Sequence, residues 1–137
     1  MLARSAACLP LALVMLAALA GCARNVKLHS LPGTKGGYAD VHVLLTYNRN
    51  DEIEIVLRAP DPSSYGANYT RYVVWVATPD RKLVTNAGQI RVEKGRGRLR
   101  TLTALHKFWV SITVEERGDT LGPSGPVVFQ TSSEIEW

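Results

Sequence analysis

Apolar and polar residues alternate with a period of two over much of the chain beyond residue 37. The clearest alternating runs are residues 41–46, 52–58 and 108–115. A period of two places successive side chains on opposite faces of an extended chain. Each run therefore predicts a β-strand with one face in a core and the other toward water. Residues 72–76 are apolar at every position, which predicts a central strand buried on both faces.

Shorter strand candidates fill most of the remaining region, and no stretch past residue 22 has helical periodicity. The candidates cover residues 82–85, 89–93, 98–104 and 127–131, and turn-forming stretches lie at 48–51, 59–68, 79–80, 94–97 and 118–126. Seven or eight short strands about ten residues apart predict an all-β fold, an antiparallel β-sandwich of the immunoglobulin-like kind. A small up-and-down β-barrel is the alternative.

The first 22 residues follow a different pattern, which is typical of a secretory signal. A positive charge at Arg4 precedes an apolar run over residues 6–18, and the segment ends in Leu19-Ala20-Gly21-Cys22. This ending resembles the lipobox of bacterial lipoproteins. The resemblance implies cleavage between Gly21 and Cys22, a diacylglycerol on the Cys22 thiol and acylation of the new N-terminus.

Two other interpretations of this segment are a transmembrane helix and an ordinary signal peptide. The apolar run is only about 15 residues long and contains Pro10, whereas a membrane span needs about 20 residues. An ordinary signal cleaved near residue 20 would leave Cys22 as a free thiol. We expect lipidation, because the motif lies at the right distance from Arg4. Anchoring by two or more acyl chains is stable.

These patterns divide the chain into three parts. They are a signal peptide over residues 1–21, a lipidated cysteine and flexible tether over 22–37, and a β-sandwich domain over 38–137. The tether is predicted because this stretch combines Pro32, glycines and basic residues with no acidic residue. Basic residues beside a lipid anchor favour an anionic membrane surface, although the same charges also suit a plain solvated linker.

Charge and cysteine content narrow the classes of function. The formal net charge is +4 and falls by one when the signal that carries Arg4 is removed, so we expect no nucleic-acid partner. Of the two cysteines, Cys8 lies in the signal and Cys22 is the lipid site. The mature domain therefore has no thiol for a disulfide, a cysteine-ligated metal or a cysteine nucleophile.

The region from about residue 60 to residue 130 resembles a known family. Its motifs are, in order, Asp61-Pro62, Tyr69, residues 72–76, Pro79, Ala87-Gly88-Gln89-Ile90, residues 108–115, Gly118 and Pro123-Ser124-Gly125-Pro126-Val127-Val128. This succession is similar to the extracytoplasmic C-terminal domain of anti-sigma factors of the anti-sigma-K type. The resemblance implies a β-sandwich that serves as a sensing or interaction module in the envelope.

The sequence departs from that family in a respect that matters for function. Those anti-sigma factors place a helical sigma-binding domain in the cytosol, followed by a membrane-spanning helix, and neither is predicted here. Sigma-factor binding is therefore not expected. The residue after Cys22 is Ala23 rather than the Asp that resembles an inner-membrane retention signal. In a cell with two membranes this favours the outer membrane.

Residues able to carry catalysis or bind a metal are scattered along the sequence. His29, His42 and His106 have no metal-ligand spacing, and no serine lies in a nucleophile elbow. We interpret Glu115-Glu116 and the later pair Glu134 and Glu136 as solvated strand ends. We therefore expect no enzyme activity, no catalytic residue, no metal and no cofactor. A Ser–His–Asp set assembled by folding is the remaining alternative.

An arginine row is the first candidate for a partner surface. Arg96, Arg98 and Arg100 would share one face of a strand. There they would suit the phosphates of lipid headgroups or lipopolysaccharide, or an acidic partner, because a guanidinium binds such groups bidentately. The alternative is an exposed edge strand whose charges prevent unwanted strand pairing.

Three aromatic residues are the second candidate for a ligand surface. Tyr65 and Tyr69 lie in the longest predicted loop, and burial of Phe108 would turn the adjacent Trp109 outward. Their rings could stack on sugars. For Trp109 the alternative role is to cover a neighbouring loop.

The sequence as a whole predicts a non-enzymatic lipoprotein of the cell envelope, anchored on the extracytoplasmic side through the lipid on Cys22. Its β-domain would bind, scaffold or sense another envelope protein. A module that binds glycans or anionic lipid headgroups is the alternative function, and a hydrolase is the third.

Overall fold

The computed structural model describes residues 23–45 and 50–136. These residues form nine strands and one short 3-10 helix, with no α-helix among them. The strands are β1 Ala23–Ser30, β2 Tyr38–Leu45, β3 Asp51–Arg58, β4 Arg71–Ala77, β5 Val84–Ile90, β6 Arg96–Thr103, β7 Lys107–Glu115, β8 Val127–Gln130 and β9 Ile135–Glu136, and the 3-10 helix is Pro62–Tyr65. The prediction of an all-β fold is confirmed.

The strands form a single antiparallel sheet in the order β5-β4-β7-β8-β1-β2-β3-β6, with β9 added beside β7. One half of this sheet is β5-β4-β7-β8 and the other is β2-β3-β6. β1 joins them, because residues 23–28 pair with β2 whereas His29 and Ser30 pair with β8. The end strands β5 and β6 contact each other without a hydrogen-bonded ladder between them. The sheet is thus nearly closed, and the fold lies between the predicted sandwich and the alternative small barrel.

The predicted tether over residues 22–37 differs from the structure, because Ala23–Ser30 form β1. Leu28 of this strand is buried and Val26 packs against the core, and both alternate with exposed neighbours. The alternation is short and lies among basic residues, so its composition resembles that of a linker. The described domain therefore begins at Ala23 rather than at residue 38, and only residues 31–37 connect β1 to β2.

The core lies between the two halves of the sheet. Large inward side chains come from both halves, and the fully buried ones include Ile53, Ile55 and Leu57 of β3, Tyr72 of β4, Ile90 of β5, and Phe108 and Ile112 of β7. On the opposite face of β4, Val73 and Trp75 are also fully buried. The predicted central strand over residues 72–76 is confirmed.

Antiparallel pairing gives the domain two distinct ends. We call the end at which Ala23 lies the proximal end. This end also contains Leu44, Asp51, Thr103 and the start of β7. The β4–β5 loop at residues 78–83 lies there too. The opposite, distal end carries residues 31–37, 59–70, 91–95 and 116–126. Six residues of β2 separate the Leu44 row from the Tyr38 row, a distance of about 20 Å along the strand.

Candidate functional site

An exposed arginine surface lies on the outer face of β3 and β6, toward the distal end. Arg96, Arg98 and Arg100 alternate with less exposed residues along β6, so they share one face as the sequence predicts. On the neighbouring strand, Arg58 lies directly opposite Arg96 in the antiparallel register. We call Arg58, Arg96 and Arg98 the arginine face.

Two glutamates of β3 neutralise the proximal part of the row. The Arg100 Nε donates to Glu54 Oε2 at 2.7 Å and lies 3.8 Å from Glu52, while Arg98 Nε lies 3.6 Å from Glu54 Oε1. The hydrogen bond from Arg100 is the main reason why the pKa of Glu54 lies below its usual range. Arg100 is therefore occupied by acids of its own sheet.

The distal part of the row lacks such partners. Within residues 23–45 and 50–136, neither Arg58 nor Arg96 has a carboxylate within 4.0 Å of its guanidinium. Like charges directly opposite each other across an antiparallel pair are destabilising. Beside them is a shallow depression of about 300 Å³ lined by Val56, Gly97 and Arg98. This geometry suits an anionic group that two or three guanidinium groups can bind together.

Gly97 allows β6 to lie where it does. A Cβ at this position would come within 2.3 Å of the Ile90 side chain and 2.9 Å of the Arg91 carbonyl oxygen. The absence of a side chain brings β6 close to the end of β5 and leaves the neighbouring arginines on the open face.

The three aromatic candidates do not form a common platform. The Tyr65 hydroxyl accepts a hydrogen bond from the Lys35 N–H at 2.9 Å, and both tyrosine rings pack against the core. Trp109 donates its indole N–H to the Pro79 carbonyl at 3.2 Å, and the Arg81 guanidinium lies 3.7 Å from the ring centroid. Trp109 is therefore turned outward and covers the β4–β5 loop, which was its alternative role.

Glu115 is a buried carboxylate, and its interpretation as a solvated strand end is wrong. Thr113 Oγ1 donates to its Oε1 at 2.7 Å, and Ser124 donates through its N–H and hydroxyl at 3.0 and 2.6 Å. The Gly125 N–H adds a fourth bond at 3.0 Å. Burial by itself raises the pKa of Glu115, but these hydrogen bonds outweigh it and lower the pKa.

The hydrogen bonds of Glu115 hold the end of the 116–126 loop at Ser124 and Gly125 against β7. Trp75 joins the same network, because its indole N–H donates to Thr113 Oγ1 at 2.8 Å. A Cβ on Gly125 would lie 1.7 Å from the Val114 carbonyl oxygen, so the loop approaches β7 as only glycine allows. One indication of this network is visible in the sequence, which is that Thr113 and Glu115 lie on the same face of the strand predicted over residues 108–115. Their partners come from nine or ten residues further on, which the sequence pattern does not reveal.

Asp51 is the second buried acid, and it has the opposite surroundings. Neither of its carboxylate oxygens has a hydrogen-bond partner in the described part of the chain. His106 Nδ1 lies 3.9 Å from Asp51 Oδ2, which is longer than a hydrogen bond. Burial raises the pKa of Asp51, and the nearby His106 only partly opposes this effect. No nucleophilic hydroxyl is hydrogen-bonded to His106 among the described residues, so the pair lacks the third member of a triad.

Metal-binding clusters and membrane-spanning helices are two further features that would indicate a function. Within residues 23–45 and 50–136, no group of three or more His, Cys, Asp or Glu side chains is placed to hold a metal ion. In the same part of the chain, no helix has the length and hydrophobicity that crossing a bilayer requires. The predicted lipidation site Cys22 and the cleavage-site residue Gly21 lie outside the described residues.

Comparison with family models, curated proteins and solved structures found no match. The resemblance to anti-sigma factors of the anti-sigma-K type therefore stays a prediction from the sequence.

Proposed function

We propose that this protein is a non-enzymatic lipoprotein of the bacterial cell envelope that binds an acidic partner protein through its arginine face. The observation that carries the proposal is the pairing of Arg58 with Arg96 across β3 and β6, with no acid beside either among the described residues. A partner carboxylate would relieve the repulsion between them and accept charge-assisted hydrogen bonds from both.

The position of the arginine face favours a protein partner over the lipid headgroups of the anchoring membrane. In the proposal the lipid is on Cys22, which precedes Ala23 at the proximal end. The Arg58–Arg96 row lies about 20 Å further along the strands, and this distance exceeds a Debye length of about 8 Å at physiological salt. The arginines are therefore held at a distance from the membrane that carries the anchor.

A glycan-binding role receives less support, because the aromatic candidates are engaged elsewhere. The rings of Tyr65 and Tyr69 pack against the core, and Arg81 covers one face of Trp109. Sugar binding by stacking needs an accessible aromatic face. We therefore assign partner binding to the arginine face, and we place the protein on the extracytoplasmic side. In a cell with two membranes, Ala23 favours the outer membrane.

The anchor is tested by mass spectrometry of the N-terminal peptide from the protein in its native membrane. We expect a mature chain that starts at Cys22 and carries three acyl chains, and a Cys22→Ser variant that is released from the membrane fraction. An unacylated mature chain would contradict the lipoprotein proposal.

The binding surface is tested by crosslinking in the envelope followed by a direct binding assay with the purified partner. We expect Arg58→Glu/Arg96→Glu to weaken that binding about tenfold or more, because each arginine makes a charge-assisted hydrogen bond. The control is Arg117→Glu, which makes half of the double variant's charge change at a residue paired with Asp119. Equal binding by the double variant and the control would reject the arginine face as the binding surface.

A further inference from the structure

The proximal end carries an unusual share of exposed apolar surface. Five large hydrophobic side chains are exposed in the described part of the chain, and three of them lie at this end. These three are Leu44, Leu83 and Leu102, which are 37%, 63% and 61% exposed. Leu44 and Leu102 occupy the same cross-strand row as Ala23, since both flank Glu52.

An apolar cleft opens at the same end, between β5 and β6. Its volume is about 300 Å³, and Val76, Leu83, Ala87, Leu102 and Leu105 provide its apolar lining. At the distal half of this seam the strands are close, because Leu99 packs against Gly88. The sheet therefore closes distally and leaves apolar side chains open proximally.

The β4–β5 loop adds an amphipathic element beside this cleft. Trp109 supports the loop by its hydrogen bond to the Pro79 carbonyl, and Arg81 stacks on the indole. The next two residues are Lys82 and Leu83, and both are exposed. The indole of Trp109, the basic side chain of Lys82 and the exposed Leu83 thus lie together at the proximal end. This combination is typical of the boundary between water and a bilayer.

The start of β1 indicates what covers this surface. Ala23 already pairs with Leu44, and Cys22 is the residue immediately before it in the sequence. Arg24 further fixes this start by donating to the Glu136 carbonyl. An acyl anchor on Cys22 would thus have no slack segment between it and the folded domain.

We propose that the proximal end is a membrane-docking surface, in which Leu44, Leu83 and Leu102 contact the bilayer at the foot of the lipid anchor. This inference rests on the proposed lipidation of Cys22. It replaces a domain held at a distance by a tether with a domain that lies directly on the membrane, with the arginine face at the opposite end of the same strands.

The charges at the proximal end are nearly balanced. The basic residues are Arg24, Arg81, Lys82 and Lys107, and the acidic residues are Glu52, Asp80, Glu134 and Glu136. Glu52 lies between Leu44 and Leu102 and 3.8 Å from the Arg100 Nε, and Lys107 pairs with Glu136 at 3.0 Å. His106 and the buried Asp51 also lie there. Docking therefore depends on apolar contact rather than on attraction to anionic lipid, and raising the salt concentration should change it little.

The test uses the full-length protein expressed in bacteria and purified from their membranes. Its N-terminal peptide is first examined for acyl chains, and the protein is then reconstituted into vesicles of phosphatidylethanolamine and phosphatidylglycerol with brominated acyl chains. Bromine quenches tryptophan on contact, and comparison with Trp109→Phe isolates the signal of Trp109. Trp75 is fully buried and does not meet lipid.

We expect strong quenching of Trp109 that falls at least about threefold in Leu83→Ser/Leu102→Ser, since that variant removes most of the inserted apolar surface. The control is Leu121→Ser, which removes a leucine that is 96% exposed at the distal end. An acylated protein whose Trp109 is unquenched, or is quenched equally in the double serine variant, overturns the docking surface and leaves the anchor intact. An unacylated protein overturns the anchor itself.

Discussion

Glu115 shows at the residue scale how hydrogen bonds keep a buried carboxylate charged. Its two oxygens accept four hydrogen bonds from Thr113, Ser124 and Gly125, so the ionised form is the one that the surroundings stabilise. Because the same bonds hold the 116–126 loop against β7, the charge of Glu115 contributes to the stability of this part of the fold.

We predict that Glu115→Gln lowers the free energy of unfolding at pH 7 by about 1–3 kcal/mol. A lowered pKa in the folded state means that the stabilisation is present above the ordinary value of 4.5 and is lost as the pH falls through the folded pKa. Urea unfolding of both proteins at several pH values should show the difference narrowing in acid. A constant difference across this range would contradict the assignment.

Asp51 has the opposite effect, because burial raises its pKa from 3.8. The folded state then holds a proton more tightly than the unfolded state, so stability decreases as the pH rises from the ordinary pKa through the folded pKa. We predict that Asp51→Asn raises the free energy of unfolding at pH 7 by about 1 kcal/mol and has little effect at pH 3.

Urea unfolding at both pH values measures this effect of Asp51→Asn. Asp119→Asn provides a control at an exposed aspartate paired with Arg117, where a surface substitution should change stability by less than about 0.5 kcal/mol. A loss of stability in Asp51→Asn at pH 7 would show that the carboxylate contributes favourably as an anion.

At the scale of the element, β1 is the strand on which the closure of the sheet depends. It pairs with β2 along residues 23–28 and passes to β8 at His29 and Ser30, so it provides the hydrogen-bonded link between the two halves. Its removal would expose two strand edges at once and uncover the core beneath Leu28.

We predict that a chain starting at residue 38 fails to fold, whereas one starting at Ala23 folds. Circular dichroism and thermal unfolding distinguish the two outcomes. A cooperative transition in the shorter chain would show that β1 is dispensable and would restore the tether.

A point substitution tests β1 without truncation. Leu28→Ala should lower the free energy of unfolding by about 2–5 kcal/mol, because it empties a buried position. Lys27→Ala, at the exposed neighbour, is the matched control and should stay within about 0.5 kcal/mol. Urea unfolding compares them, and equal effects would mean that Leu28 does not pack in the core.

Sequence pattern predicts those elements whose alternation is long and clean. β2, β3 and β7 were predicted because their inward residues repeat over five or more positions, and β4 was predicted because residues 72–76 are apolar at every position. β1 was missed because Val26 and Leu28 are its only inward apolar residues and lie among basic ones. A strand can be recognised in the sequence only when its alternation of apolar and polar residues is long enough to stand out from the surrounding composition.

Contacts between distant segments could not be predicted in the same way. The row of Arg96, Arg98 and Arg100 followed from the period of two alone. Its neutralisation by Glu52 and Glu54, and the facing position of Arg58, depend on how β3 pairs with β6. Strand register is a property of the folded sheet, and a shift by one residue would place different side chains opposite each other.

At the scale of the whole molecule, the two proposed surfaces lie at opposite ends of the same strands. Leu102 and Arg96 belong to one face of β6, with Leu102 in the row of Ala23 and Arg96 six residues away. This spacing corresponds to about 20 Å. Leu44, Leu102 and the arginine face all lie on the β2-β3-β6 ladder, so the orientation that docks the leucines on a bilayer places the arginine face at the far end of the same strands.

This arrangement predicts that the two surfaces act independently. Sites more than about 7–10 Å apart without shared partners usually have additive effects. Leu83→Ser/Leu102→Ser should therefore reduce the quenching of Trp109 by brominated lipid without changing the affinity for a purified partner protein. Arg58→Glu/Arg96→Glu should do the reverse, and the quadruple variant should show both losses at the size seen in each double variant.

Quenching and partner affinity, measured on the same reconstituted samples, provide the comparison. If the serine variant also weakened partner binding, the bilayer-facing end would be contributing to that interface, and the assignment of one surface to each end would be wrong. If both double variants left both measurements unchanged, neither end would carry the role proposed for it. Separate losses are expected because the row that contains Glu54 and Arg100 lies between the two surfaces and is already paired within the sheet.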